Sequence, residues 1–311
     1  YIYQYDDAIA ATAVPACRLI LLNRDYQDLL NRSPMSNHHL PASLVYRGER
    51  IHHLAGLRYR GSPYLRRDQI TGSRKGVRVR LSREDPLMES VRITLDEQEV
   101  DSTIQNDRLV RHLLQKAGGV PYGDRRHVHL IFRGVSQGTY EQVLTVDPHY
   151  LKRSFGDDDD RGDLYKLDAH YEIDDRGEFP FPAFTSWKYT ENKEDLRFTY
   201  KKRTRAKEDD FTGLMSLLDL MDTSRTTNEA FEEQAPALLD LDLFVKGIAV
   251  YRAVEDWDAI GGWTGKNVYL YHHPDGRWRF IPWDHDVSFG AAALQADQNP
   301  RAYLYTPYFP E

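Results

Sequence analysis

The 311 residues are 41% hydrophobic and 29% charged with a net charge of −7, the composition of a globular chain able to bury a sizeable core. The charge balance argues against a nucleic-acid binder, and no apolar run nears the ~18 residues of a membrane span. Cys17 is the single cysteine, which rules out an intrachain disulfide or a zinc–cysteine cluster.

The chain opens at Tyr1 without Met or a signal peptide, as a mature secreted form or a trimmed segment does, and Phe309-Pro310-Glu311 reads as a cut. Residues 1–15 read as an N-terminal extension. Cys17–Leu22 and Ser43–Tyr46 follow as short strands around a helix over Asp25–Leu30. Leu57–Arg60 and Gly76–Leu81 alternate apolar and basic side chains, the period of half-buried strands. Arg108–Ala117 has helical spacing and stops at Gly118-Gly119, with Pro121 beyond. Val128–Phe132 alternates again, and a turn through Arg133–Gly138 returns it along Thr139–Val146.

The second half changes character. Asp157–Asp160 reads as a solvated acidic loop, since it lacks the ligand spacing of an EF-hand. Lys188–Glu208 reads as an exposed excursion. Asp210–Met221 and Glu229–Val254 are helical in period, with Asp240 or Asp242 capping part of the latter. A strand-rich region over 16–147 followed by a helix-rich region over 148–311 is an α+β arrangement with the outline of a bilobal, kinase-like fold.

The chemistry concentrates between Tyr251 and Gly290. Strands over Val268–His272 and Arg277–Pro282, joined by His273-Pro274-Asp275-Gly276, predict a hairpin that sets Asn267 beside the Trp283-Asp284-His285-Asp286 segment. Oxygen ligands at one end of a hairpin suit a hard divalent cation, Mg²⁺ or Mn²⁺. Asp284 and Asp286, two apart and flanked by Trp283 and Phe289, would share one strand face as a ligand pair; the alternative is an ordinary acidic turn. Asn267 is a ligand candidate or a plain turn residue after Gly265-Lys266. Asp258 and Asp256 compete for the role of orienting an acceptor hydroxyl, and either could instead cap the Gly261-Gly262 turn. Lys75 and Arg78 lie in a basic run that reads as a phosphate-facing strand or as a solvated face. The doublets His38-His39, His52-His53 and His272-His273 read as surface residues, because strand neighbours point to opposite faces. Without clustered histidines, a two-metal phosphoester hydrolase is the weaker reading. Trp187, Trp257, Trp278 and Trp283 read as packing residues, and Trp263 beside the glycines as packing or a cover for a bound base.

The chain resembles the CotH family of atypical, secreted protein kinases related to spore-coat protein H. The resemblance runs in order through Leu57–Ser62 (LRYRGS), Ser73–Leu81 (SRKGVRVRL), Val128–Tyr140 (VHLIFRGVSQGTY) and Tyr150–Lys166 (YLKRSFGDDDDRGDLYK). It is most specific at Asp256–Tyr271 (DWDAIGGWTGKNVYLY) and Phe280–Gly290 (FIPWDHDVSFG). The resemblance implies a kinase-like fold that uses ATP and a divalent metal to phosphorylate Ser or Thr in a protein substrate outside the cytoplasm, at a spore or cell surface. It places Asp258 as the catalytic aspartate, Asn267 and Asp284 as metal ligands, Asp286 in support, and Lys75, Arg78 and Arg60 toward the nucleotide phosphates. Three departures stand out. Leu144 occupies the place of a glutamate usual in the family, with Glu141 three residues earlier; Arg133-Gly134 replaces an Asn-Gly turn; and Pro63 follows Gly61-Ser62. If the glutamate orients a phosphate-binding lysine, a catalytically silent binding or coat-assembly protein becomes the alternative.

Overall fold

A computed structural model describes residues 14–33, 36–60, 75–98, 101, 103–156, 161–167, 187–256, 258–260 and 266–290. The acidic run Asp157–Asp160, the Gly61-Ser62-Pro63 segment, Trp257 and Gly261-Gly262-Trp263 lie outside the described residues. The described parts of 1–99 and 124–145 form one compact unit, and those of 100–123, 146–170 and 180–311 form a second. A mixed α+β structure results, with seven α-helices among the described residues.

The first unit is a barrel. Its elements are β1 (Ala16–Ile20), α1 (Asn23–Asn31), β2 (Leu40–Tyr46), β3 (Arg50–Tyr59), β4 (Val77–Arg80), β5 (Arg92–Asp96), β6 (Arg125–Phe132) and β7 (Val135–Leu144). The strands close in the order β1-β2-β3-β4-β5-β7-β6. Every neighbour is antiparallel except the seam, where β1 runs parallel to β6 and pairs Cys17 with Leu130. Closure removes both free edges, and it is a feature that strand-by-strand reading did not foresee. Alternation then fills the interior with Leu19, Leu44, Leu57, Val79, Ile93, Leu95, Val128 and Tyr140. The β6–β7 turn is shorter than expected. Arg133 (φ 51°) and Gly134 (φ 82°) make a two-residue turn, so β7 starts at Val135 and the ladder skips Gln137 opposite Leu130–Ile131.

His52 corrects the surface reading of the histidines. It is buried, and its Nδ1 lies 2.8 Å from an Asp85 carboxylate oxygen.

The second unit contains α2 (Asn106–Lys116), α3 (Pro148–Phe155), β8 (Asp163–Leu167), α4 (Lys193–Thr199), β9 (Tyr200–Lys202), α5 (Thr212–Met221), α6 (Asn228–Leu238), α7 (Leu241–Ala253), β10 (Val268–His272) and β11 (Trp278–Pro282). The strands form an antiparallel sheet in the order β11-β10-β8-β9. Both faces are covered, which explains the nearly unbroken apolar run of β10. Val268 and Leu270 pack with Val110, Leu114, Leu214, Leu217 and Val250, while Tyr269 and Tyr271 pack with Tyr150 and Leu151.

Two expectations change here. Lys188–Glu208 is largely exposed as expected but is structured, since it supplies α4 and β9 and buries Leu196 and Tyr200. The helical pattern over Glu229–Val254 is two helices, α6 and α7. The chain breaks between them at Leu239, and the Asp240 side chain caps α7 by accepting from the Leu243 amide at 3.3 Å.

Candidate functional site

Three segments of the second unit converge at the base of the β10–β11 hairpin. The hairpin pairs Val268 with Pro282 and closes through the predicted turn, with Gly276 at φ 86°. One step beyond the last pair, the Trp283 amide donates to the Asn267 carbonyl at 3.0 Å. Asn267 (φ 60°) and Asp284 (φ 63°) both adopt the left-handed region, which Asn and Asp enter at less cost than other side chains. Asp284 and Asp286 therefore do not share a strand face. They follow the strand in an irregular loop, partly exposed, with the buried His285 between them.

The Asn267 side chain is the centre of the arrangement. Its amide nitrogen donates to Asp258 Oδ2 at 2.9 Å and to the Asp284 carbonyl at 3.0 Å. Both neighbours are acceptors only, so the orientation of the amide is fixed by chemistry. Its oxygen is the atom left to offer a cation. Asp258 Oδ2 also receives Lys266 Nζ at 2.9 Å. An ammonium at that distance disfavours direct metal ligation by the same oxygen and holds the carboxylate in one orientation.

Asp256 has a different environment. It follows the C-terminus of α7, where its amide donates to the Tyr251 carbonyl at 3.0 Å. Its side chain has 0% exposure and both oxygens are engaged. Oδ1 accepts the amides of Asp258 at 3.2 Å and Ala259 at 3.1 Å, and Oδ2 meets His285 Nδ1 at 2.6 Å. A carboxylate enclosed this way holds a turn and has no surface to present to a substrate hydroxyl.

The loop that carries Asp284 and Asp286 is strapped to α2. The His285 amide donates to Asp107 Oδ2 at 2.9 Å, and Asn106 Nδ2 donates to the carbonyls of Asp286 (3.0 Å) and Ser288 (3.1 Å). The start of α2 is itself fixed by Asp101, which accepts the amides of Thr103, Gln105 and Asn106 at 2.9, 2.7 and 2.8 Å. Burial alone would raise the Asp101 pKa, but these hydrogen bonds outweigh it and hold the group below the usual carboxylate range.

The donor set fits a hard divalent cation in kind, being oxygens from an amide and carboxylates. It is not a ready-made cage: among the described residues no three His, Cys, Asp or Glu side chains stand where they could hold a metal.

In the first unit, the three basic residues have different partners. Arg60 is engaged, with Nη2 at 2.9 Å from Asp96 and Nε at 2.8 Å from Glu97. Lys75 lines a pocket with Tyr26, Tyr59, Phe132 and Tyr140, its ammonium 5.0 Å from the centre of the Tyr59 ring, and burial lowers its pKa. Arg78 pairs with Arg58 across the ladder, while Lys75 lies two residues before β4. Leu144 packs in the barrel core. Glu141 is buried and taken by Arg125 and Gln98, both at 2.9 Å.

Sequence reasoning missed Lys266, His285, Asp107 and Asp101. Lys266 stood next to a chosen ligand and was read only as part of a turn. The Asp101-to-Asn106 spacing carries a capping signal that helix periodicity alone overlooks.

These features belong to a known family. The description CotH kinase protein matches residues 57–307, and the chain is a member of that family. Over 160 residues, 50% of this chain, it is 28% identical to Inner spore coat protein H of Bacillus subtilis (strain 168). The matched residues cover 39% of that relative.

Proposed function

We propose that the chain is an atypical protein kinase of kinase-like, bilobal design that transfers the γ-phosphoryl group of ATP to Ser or Thr of a protein substrate. The observation that carries this reading is the Asn267 amide, which joins Asp258 and the Asp284 backbone at one point. Phosphoryl transfer asks mainly for positioning and charge neutralisation, so a small rigid group of oxygens is sufficient equipment. Between the two candidate aspartates, the side chain of Asp258, 10% exposed against 0% for Asp256, and its Lys266 partner favour Asp258, and the enclosure of Asp256 favours a supporting role.

In this mechanism Asp258 orients the acceptor hydroxyl and receives its proton as the new P–O bond forms. Lys266 keeps the Asp258 carboxylate in place and adds positive charge beside the reacting group. Asn267, Asp284 and Asp286 would hold Mg²⁺ or Mn²⁺, which when bound would neutralise phosphate charge. Lys75 and Arg78 remain candidates for nucleotide contacts; the buried ion pairs of Arg60 weaken its case. The spore-coat name of the relative supports a coat or cell-surface setting, and the protein substrate proposed is a Ser/Thr-rich one.

A second reading, a catalytically silent coat-assembly protein with the same fold, is favoured by Leu144 in the barrel core and by Glu141 bound to Arg125. Incubation with labelled ATP, Mn²⁺ and a serine-rich protein decides between them. Transfer that is lost in Asp258→Asn and Asp284→Ala supports the kinase. A wild-type thermal shift with ATP and Mn²⁺ but no transfer supports the silent binder. Neither shift nor transfer removes the nucleotide reading.

A further inference from the structure

We infer that His285 is a positioning residue that locks the turn carrying Asp258 to the loop carrying Asp284 and Asp286. The inference rests on the phosphotransfer reading for its catalytic consequence, while its structural part stands independently.

His285 sits between two partly exposed aspartates, yet its own side chain has 2% exposure. Its Nδ1 lies 2.6 Å from Asp256 Oδ2, and since a carboxylate only accepts, Nδ1 carries the hydrogen. The other Asp256 oxygen accepts the amides of Asp258 and Ala259. One buried carboxylate thus reaches both segments, and His285 is the side chain by which the second segment is attached. The imidazole is further confined by the Tyr251 ring, whose centroid is 5.2 Å away with 29° between the planes. The His285 amide is held by Asp107, so the loop is fixed on two sides of the same residue.

His285 stabilises the buried Asp256, but stability alone does not require a histidine here. Among the described residues its buried Nε2 has no hydrogen-bond partner, which carries a desolvation cost. An apolar pair in place of both His285 and Asp256 could be as stable, whereas an apolar residue at 285 alone leaves the Asp256 oxygen buried and unpaired. What an apolar residue cannot do is bond Asp256. The hydrogen bond therefore serves orientation, fixing the distance between the proton-accepting carboxylate and the proposed cation ligands.

The test compares His285→Leu, His285→Asn and His285→Gln in the full chain. Asn places a donor at the position of Nδ1, and Gln places one at the position of Nε2. Hydrogen exchange of a peptide spanning Asp258 and Ala259, followed by mass spectrometry, reads the strut without any need for turnover. His285→Leu should raise that exchange by about tenfold or more, His285→Gln should behave alike, and His285→Asn should restore most of the protection. In transfer assays, kcat of the Leu and Gln variants should fall about 100-fold, the scale of a small misplacement of reacting groups, with the Mn²⁺ requirement rising in parallel and KM for the protein substrate unchanged. Unchanged exchange in His285→Leu, or equal behaviour of the Asn and Gln variants, overturns the inference. Should His285→Leu not fold, the Asn-against-Gln comparison decides alone. An inactive wild type whose exchange follows the predicted pattern would reject the kinase reading and keep the strut.

Discussion

Lys266 and Asp258 form an ion pair of 2.9 Å on the same carboxylate oxygen that accepts the Asn267 amide. The pair is held by two residues next to each other in sequence at the entry to β10, so its geometry depends on the hairpin and not on a mobile loop. Asp256, two residues before Asp258, is sealed instead by His285.

The contrast yields the first prediction. Asp258→Asn should lower kcat by about 10²–10⁴-fold, the range for loss of a general base, and cost only about 1 kcal/mol through the lost Lys266 ion pair. Asp256→Asn should do the reverse in order of severity: it weakens a buried charge-assisted hydrogen bond and should lower stability by roughly 1–3 kcal/mol before any effect on chemistry is separable. Thermal denaturation beside kcat for both variants checks this, and a stable, inactive Asp256→Asn would reassign the base.

A second prediction concerns Gly76, which precedes β4. A Cβ built there would lie 1.9 Å from Glu97 Oε2 and 2.4 Å from Cδ and Nε of Arg60. Both partners belong to one buried ion pair, so making room breaks the Arg60–Glu97 contact, although Arg60 keeps Asp96. Gly76→Ala should therefore cost about 3 kcal/mol, combining overpacking with damage to that pair. Urea denaturation reads it. A neutral Gly76→Ala would mean that Arg60 and Glu97 have room to separate.

Leu144 leads to a third. If the chain merely lacked a catalytic glutamate there, Leu144→Glu would restore function. Leu144 is 4% exposed and packs inside the barrel, so the new carboxylate would enter an apolar interior without a cation. The expected result is loss of several kcal/mol of stability and no gain of transfer. Glu141→Gln should also destabilise, by about 1–3 kcal/mol, because it weakens a buried charge-assisted hydrogen bond to Arg125. A soluble Leu144→Glu protein with raised activity would contradict this account of the departure.

How far the sequence discloses this molecule varies with the physical range of each interaction. The β10–β11 hairpin is legible because its turn, its alternation and its two strands are all local, and Asn267 lands beside Asp284 as a consequence. The closed barrel is not legible, since nothing within Ala16–Ile20 tells of a parallel seam with a strand more than a hundred residues later. Lys75 and Arg78 read alike as basic, yet Lys75 lines a pocket with Tyr59 and Tyr140 before β4 begins, while Arg78 lies in the ladder opposite Arg58. Asp256 and Asp258 look equivalent on paper. Only the folded chain brings His285 to one and Lys266 to the other.

The last prediction is a pH dependence in the barrel. Burial, followed by the charges of Arg58, Arg78, Arg80 and Arg32, pushes the His39 imidazole down from 6.5 to about 4. The unfolded chain therefore binds a proton near pH 6.5 that the folded chain refuses until about pH 4. The sign follows: stability at neutral pH is unaffected by His39, falls as the pH drops below 6.5, and stops falling from this source near 4. Asp275 acts in a lower window. Burial opposes its ionisation, but the Arg277 amide, His273 and Arg279 hold its pKa down to about 2, so its contribution is lost only as pH falls from 3.8 toward that value. Urea midpoints between pH 7 and 4.5 accordingly isolate the histidine. His39→Gln should flatten that part of the profile while leaving the steeper loss below pH 4 in place, and an unchanged slope above pH 4.5 would show that His39 is not shielded by the arginines beside it.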